Sequence, residues 1–375
     1  MKFSKLAKVA VVATVSLALA VPTLNTATAA SKVDTAKSAA EAGGMSALRS
    51  ACRAEGQLNI IATPRDWANY GAIIDGFAAK YGVKIDSQDE EGSSQDEINA
   101  ADRLKGTKRS PDVFDLNTSV AVNYLKTHFA AYKVQNWNDI PTTLKNADGY
   151  TTNNYTGTMS IWYNGTSLPT ITTLDDLMKP AYKGKIALNG DPQGSGAALA
   201  GLFMVAKAKG GSFDNVNPAV DFFKKLKEVG NFINVNPTAS TIASGQTQVV
   251  IDWTYNQVGA QRKFKQVGID WKVFIPKDVA VGSWYNAAIS AWAPHPACAR
   301  LWMEYLYTPA AQNVWAAEGA APALWPVLLK RNLAGADGKA ALGTGRSFAA
   351  TATAAQNSKA RDYLKAAWPA AVGTN

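Results

Sequence analysis

Apolar residues in this chain follow two spacings. Short solid runs at 58–62, 83–85, 113–116, 186–188 and 249–251 read as buried strands. Elsewhere they recur at three- and four-residue intervals, as on one face of a helix: Ile73, Ile74, Phe77 and Tyr81 form one such stripe. Residues 45–55 form a short amphipathic helix, stopped by Gly56. Thr63-Pro64-Arg65-Asp66 reads as a capping box with proline at the first helical position, opening a helix that runs to Gly82. Ser94 and Glu97 read as a second box, before a helix over 98–104. Later helices are expected over 197–208, from Asn217-Pro218, and from Thr308-Pro309 to Gly319. Strands that alternate with helices predict an α/β fold with parallel sheets covered on both faces.

Size and the N-terminus sharpen this picture. A chain of 375 residues exceeds what one core usually takes, so two domains are expected. Lys2, Lys5 and Lys8 precede an apolar run over 9–21, and Ala27-Thr28-Ala29 follows. That is a three-part secretory signal over residues 1–29, and its apolar run is too short to span a bilayer. The mature chain is therefore expected in the periplasm or secreted. Its charge, +9 before cleavage, falls to +6 when the three signal lysines are removed. Lys224, Lys225 and Lys227 belong to a helical pattern rather than a basic stripe with interleaved aromatics, so nucleic acid is not an expected partner. The two cysteines, Cys52 and Cys298, read either as one disulfide formed in an oxidising compartment or as two separate buried thiols.

Reactive constellations are missing. The two histidines, His128 and His295, stand far apart, and the chain has no Gly-x-Ser-x-Gly elbow, no His-Glu-x-x-His and no Gly-Lys-Ser/Thr loop. The expectation is a protein that is not an enzyme and needs no cofactor or metal. Aromatics beside carboxylates and amides are what the sequence does offer. Asp66-Trp67-Ala68-Asn69-Tyr70 follows the first strand, and Asp252-Trp253-Thr254-Tyr255-Asn256 follows the run at 249–251. Trp162-Tyr163-Asn164 and Trp284-Tyr285-Asn286 repeat one tripeptide. Aromatic faces attract cations and carboxylates pair with them, so such groups at strand ends suit an ammonium ligand. The glycine-rich turn over 189–196, with Asp191 and Ser195, has a second reading, because free N–H groups at a helix start suit an anion.

These residues resemble the type II extracytoplasmic solute-binding proteins of bacterial ABC transporters, in the branch that holds polyamine, ferric-iron and phosphonate binders. The likeness lies in Glu55-Gly56-Gln57-Leu58, in Phe77-Ala78-Ala79-Lys80-Tyr81-Gly82, in the stretch 176–188 (DLMKPAYKGKIAL), and in 293–322, with its Gln-x-x-Trp and a glycine before proline. The resemblance implies a two-lobed fold, each lobe a mostly parallel sheet flanked by helices, with the ligand cleft between them. Lobe 1 would hold 31–158 and 275–318, and lobe 2 would hold 159–274 and 319–375. Both cysteines would then share lobe 1. Function would be solute capture by hinge closure and delivery to membrane permease subunits, by a monomer. By analogy with the polyamine binders, Trp67, Tyr70, Trp253, Tyr255, Trp284 and Tyr285 would be cleft walls, with Trp162 near a crossing. Asp66, Asp191 and Asp252 would pair with amines. The alternative ligand is an organic anion such as a phosphonate or phosphate ester, held by Ser93, Ser94, Ser195, the glycine-rich turn and Arg65. Thiamine and ferric iron rank lower, and the chain lacks the adjacent tyrosine pair that iron binders use.

Overall fold

The computed structural model describes residues 32–344 and 348–373; the expected signal, 1–29, lies outside them. The first lobe begins with α1 (Met45–Glu55), closed by Gly56 at φ 73°, a left-handed position that suits glycine. Then come β1 (Gln57–Ile61), α2 (Tyr70–Tyr81), β2 (Lys84–Gln88), α3 (Ser94–Leu104), β3 (Val113–Asn117), β4 (Phe129–Ala130) and β5 (Thr152–Thr156). The chain crosses at 157–158 into β6 (Met159–Asn164), β7 (Ile186–Leu188), α4 (Gly196–Ala208), α5 (Asn217–Glu228), β8 (Val249–Trp253), α6 (Thr254–Gln266) and β9 (Trp271–Phe274). It returns through β10 (Val281–Gly282) to β11 (Trp284–Ser290), α7 (Pro296–Leu306), α8 (Pro309–Ala317), β12 (Ala321–Pro322), α9 (Trp325–Lys330) and α10 (Ala336–Leu342). Last come β13 (Ala350–Thr351), paired with β10, and α11 (Ala354–Val372).

The first sheet runs β12-β5-β11-β3, with β4 also on β11. The β1–β2 pair lies beyond β3, tied to it where Asp112 N–H donates to the Asn59 carbonyl at 3.0 Å. The second sheet runs β7-β8-β6-β9. The first sheet is antiparallel and the second mixed, not mostly parallel as expected. The separate β1–β2 pair and, in the second sheet, β7–β8, each joined through helices, run parallel. β11 runs antiparallel to β3 and β5, and β6 runs antiparallel to β8 and β9. The crossings are the cause. A strand leaving a lobe ends at the boundary and the strand entering a lobe starts there, so each entering strand opposes its neighbours.

The C-terminal stretch 319–375 divides between lobes, where the sequence reading kept it with the second. β12 occupies the edge beside β5, and Gly338 of α10 abuts the Trp325 ring, so this portion packs with the first lobe. α11 packs on the second lobe, because the apolar ring of Trp368 finds Phe223 and Phe232 there, at 5.2 and 5.9 Å between centroids. Cys52 on α1 and Cys298 on α7 form a disulfide, which ties helices 246 residues apart in sequence. The two-thiol alternative therefore falls away. α4 is buried along nearly its whole length, as its run of Ala, Leu, Phe, Met and Val requires.

Candidate functional site: an acidic cleft between the lobes

Two local departures from the sequence reading shape the first-lobe wall. The helix expected from Thr63 starts only at Tyr70, after a 3-10 turn at Trp67–Asn69. Ala62, Ala68 and Asn69 take positive φ, which no α-helix tolerates, and Thr63 Oγ1 is buried without a hydrogen-bond partner instead of capping. The second capping box lies one residue earlier than expected. Ser93 Oγ accepts from Asp96 N–H and Asp96 accepts from Ser93 N–H. Ser94 and Glu97, three apart on α3, are thereby free to face inward. Ser94 Oγ accepts from Asn117 N–H at 3.0 Å, and Glu97 Oε2 accepts from Asp115 N–H at 3.0 Å, which clips α3 to the end of β3.

Asp115 lies at the cleft floor. Its carboxylate accepts from Asn154 Nδ2 at 2.9 Å and from the Tyr155 hydroxyl at 2.5 Å. The Tyr155 hydroxyl in turn accepts from Trp67 Nε1 at 2.8 Å. Tyr155 stacks on Tyr285, with centroids 5.4 Å apart and planes 6° from parallel, and Trp67 meets Tyr285 edge-on at 5.4 Å. Burial pushes the Asp115 carboxyl up to about 6, against the hydrogen bonds from Tyr155, Asn154 and Tyr70. Burial, and after it the Asp115 charge, pushes Glu97 well above the usual carboxylate range.

The second lobe answers with Asp252 at the end of β8. Asn189 Nδ2, Gln257 Nε2 and Asn256 Nδ2 all donate to it, at 2.5, 2.8 and 3.2 Å. Burial raises its pKa, and these amide bonds oppose the rise. The glycine-rich turn is used locally. Ser195 Oγ donates to the Asn189 carbonyl and accepts from Ala198 N–H as the cap of α4, while Asp191 accepts from Gln193 N–H. Behind the turn, the Arg361 guanidinium of α11 donates to the carbonyls of Pro192 and Gln193, and to Ser119 Oγ of the first lobe.

Between these walls run three adjoining pockets that share Glu91. Asp66, Glu90, Glu91, Asp96, Glu97, Asp115, Asp191 and Asp252 line them, and among the described residues no Lys, Arg or His does. Arg65, the cation proposed for an anionic ligand, is exposed and paired with Asp75. Also among the described residues, no group of three or more His, Cys, Asp or Glu is placed to hold a metal ion. The lobes touch. A Cβ on Gly196 would stand 2.1 Å from Asn117 Cγ, Trp67 meets Tyr255 at 5.8 Å, and Arg262 of α6 pairs with Glu318 beyond α8.

Of the residues singled out from sequence, Asp66, Trp67, Ser94, Asp191, Ser195, Asp252 and Tyr285 line the cleft. Tyr70, Trp253 and Tyr255 do not; they are fully buried behind it, in a ring cluster with Tyr155 and Tyr285. Trp284 lines a separate pocket with Lys145 and Thr351 and packs on Phe348. Trp162 is second-lobe core, with Val250, Phe264 and Trp271 around it and its Nε1 on Ser160 Oγ. Sequence reasoning missed Glu91, Glu97, Asp115 and Gln257 in the cleft and Tyr155 behind it, and read Asn189 only as part of the glycine-rich turn. One signal for Asp115 was available: a carboxylate inside the apolar run Val113-Phe114-Asp115-Leu116 has to be buried, and a buried charge needs a reason.

Two α/β lobes meet across this polar cleft. The chain belongs to the bacterial extracellular solute-binding protein family, whose model matches residues 109–340. Solved structures share the fold at low identity. AfuA from Actinobacillus pleuropneumoniae, with fructose-6-phosphate bound, is 20% identical over 72% of this chain and 84% of its own, at a TM-score of 0.56. A candidate spermidine/putrescine ABC transporter from Listeria monocytogenes is 15% identical over 83% and 99%, at 0.58. Apo ferric ion-binding protein A from Pasteurella haemolytica is 17% identical over 84% and 98%, at 0.56. No significant match is found among curated proteins. Membership makes the chain a bacterial extracellular solute-binding protein. Among the described residues no helix is long and apolar enough to cross a membrane.

Proposed function

We propose that the cleft captures an organic cation, a polyamine such as putrescine or spermidine. On this reading a monomer exported by residues 1–29 closes on the solute and hands it unchanged to its permease. One observation carries this reading: the cleft is lined by eight carboxylates and no described cation. Asp115 and Asp252, one from each lobe, are buried and solvated only by amides and tyrosine hydroxyls. Neutral donors satisfy a carboxylate's lone pairs but leave its charge uncompensated, which is costly away from water. A bound ammonium removes that cost, whereas a phosphate would add to it. Ser93, Ser94 and Ser195 are also engaged in caps and strand ends, which leaves an anion few free donors.

A thermal-shift series tests this, with putrescine and spermidine against 2-aminoethylphosphonate, fructose-6-phosphate and ferric citrate. Polyamine at a hundred times its Kd should stabilise the protein by about 2.7 kcal/mol. Asp252→Asn should weaken binding by roughly tenfold or more, since a charge-assisted hydrogen bond contributes on the order of 1.5–3 kcal/mol. Stabilisation by the phosphate ester or phosphonate alone would overturn the cation reading.

A further inference from the structure

The innermost part of the cleft has features that a generally acidic surface does not explain. It is a cavity of about 80 Å³ bounded by Glu97, Asp115, Trp67 and Tyr285. That volume admits an alkylammonium head group. The adjoining space, about 420 Å³ and lined by Asp252, takes the remainder. Glu97 is 1% exposed, and Asp115 N–H holds its Oε2. Its other oxygen, Oε1, has no hydrogen-bond partner among the described residues, whereas each carboxylate oxygen of Asp115 accepts one, from Asn154 and from Tyr155. A nine-tenths buried carboxylate with one vacant oxygen, lining a cavity that the Trp67 and Tyr285 rings also line, is a receptor for a cationic head group.

We propose that Glu97 and Asp115 jointly hold one alkylammonium head of the solute, in exchange for a single proton that the pair keeps when the cleft is empty. This rests on the cation reading above and extends it to a solute with cationic groups at two ends, the second meeting Asp252. In the exchange the Glu97 carboxyl O–H breaks, its proton passes to the bulk buffer, and ammonium N–H groups donate to both carboxylates. The charged groups facing the pair are acidic, and the rest are neutral tyrosine hydroxyls. Asp89, Glu90, Glu91 and Asp96 lie at the start of α3 and the loop before it, while Tyr70 on α2, Tyr155 on β5, Tyr285 on β11 and Tyr307 after α7 face Asp115. Among the described residues lining this cavity there is no cation to stabilise a second charge, so two buried carboxylates that share its wall hold one proton between them. Burial and the Asp115 charge both raise the Glu97 pKa, the direction that favours its protonated form.

Calorimetric titration with putrescine tests this, from pH 6.5 to 8.0 and in two buffers of different ionisation enthalpy. Unmutated protein should release up to one proton per site, and its Kd should fall between about fivefold and about thirtyfold over that range, the upper figure being the limit for one proton. Glu97→Gln keeps an acceptor for Asp115 N–H and mimics the protonated form. It should bind at least tenfold more weakly at pH 8.0, release no proton and show a Kd constant within about twofold. Spermidine serves as the second probe. If neither amine binds, this proposal and the cation reading fall together. If the unmutated protein binds putrescine without proton release, or Glu97→Gln keeps the pH slope, the cation reading stands and the shared-proton subsite is overturned.

Discussion

The two lobes contain the same tripeptide in opposite circumstances. Trp162-Tyr163-Asn164 and Trp284-Tyr285-Asn286 each lie on the strand that enters a lobe after a crossing. In the first lobe the tripeptide opens β11, so Tyr285 stands at the boundary and lines the cleft. In the second lobe Met159, Ser160 and Ile161 come first, and at about 3.3 Å per residue they carry Trp162 roughly 10 Å away, into the core. Distance from the crossing, not residue type, separates a ligand wall from a packing residue. The largest expected effect tests the core half of this contrast. Trp162→Ala should cost about 3–5 kcal/mol of stability by urea unfolding, with solute Kd unchanged within about twofold for the folded protein. Weakened binding without loss of stability would mean that Trp162 reaches the solute after all.

A second prediction concerns the line where the lobes meet. Gly196, first residue of α4, lies against Asn117 so closely that a Cβ would be 2.1 Å from Asn117 Cγ. Two lobes with separate sheets can relieve that clash by parting, without disturbing either sheet. Gly196→Ala should therefore leave unfolding stability within about 1 kcal/mol, the size of the helix propensity difference. Solute Kd should nonetheless rise about tenfold, with a larger radius of gyration for the liganded protein in X-ray scattering. Equal losses of stability and affinity would show that the contact supports folding rather than closure.

Much of the architecture was legible because its signals are local. The solid apolar runs at 58–62, 113–116, 186–188 and 249–251 became β1, β3, β7 and β8, and Gly56 and Gly82 ended helices with left-handed backbone. Strand direction was not legible, since a crossing reverses polarity through contacts distant in sequence. The site was read in part. Asp66, Trp67, Asp252 and Tyr285 stood out as aromatic–carboxylate neighbours, and they line the cleft. Glu97 was lost to a one-residue error in cap register. Read as the closing member of a Ser94 box, its carboxylate seemed accounted for, but Ser93 and Asp96 form the box and Glu97 turns inward. Tyr70, Trp253 and Tyr255 were over-read, because a short motif does not say which rings face solute and which stack behind them.

The smallest expected effect returns to the cleft copy of the tripeptide. Tyr285 carries two features, a ring stacked on Tyr155 and a hydroxyl that accepts a long bond, 3.4 Å, from Trp253 Nε1. Tyr285→Phe removes only the second. A bond that long contributes little, so stability should fall by about 1 kcal/mol or less. A cation held against the ring face depends on the π-system, which phenylalanine keeps. Putrescine Kd should then move by less than about threefold in calorimetry, well short of the change in Glu97→Gln. A tenfold loss instead would mean that the hydroxyl, not the face, meets the solute. Tyr285 would then act as a polar contact with a fixed direction, and the lobes would differ in hydrogen-bonding role as well as in distance from the crossing.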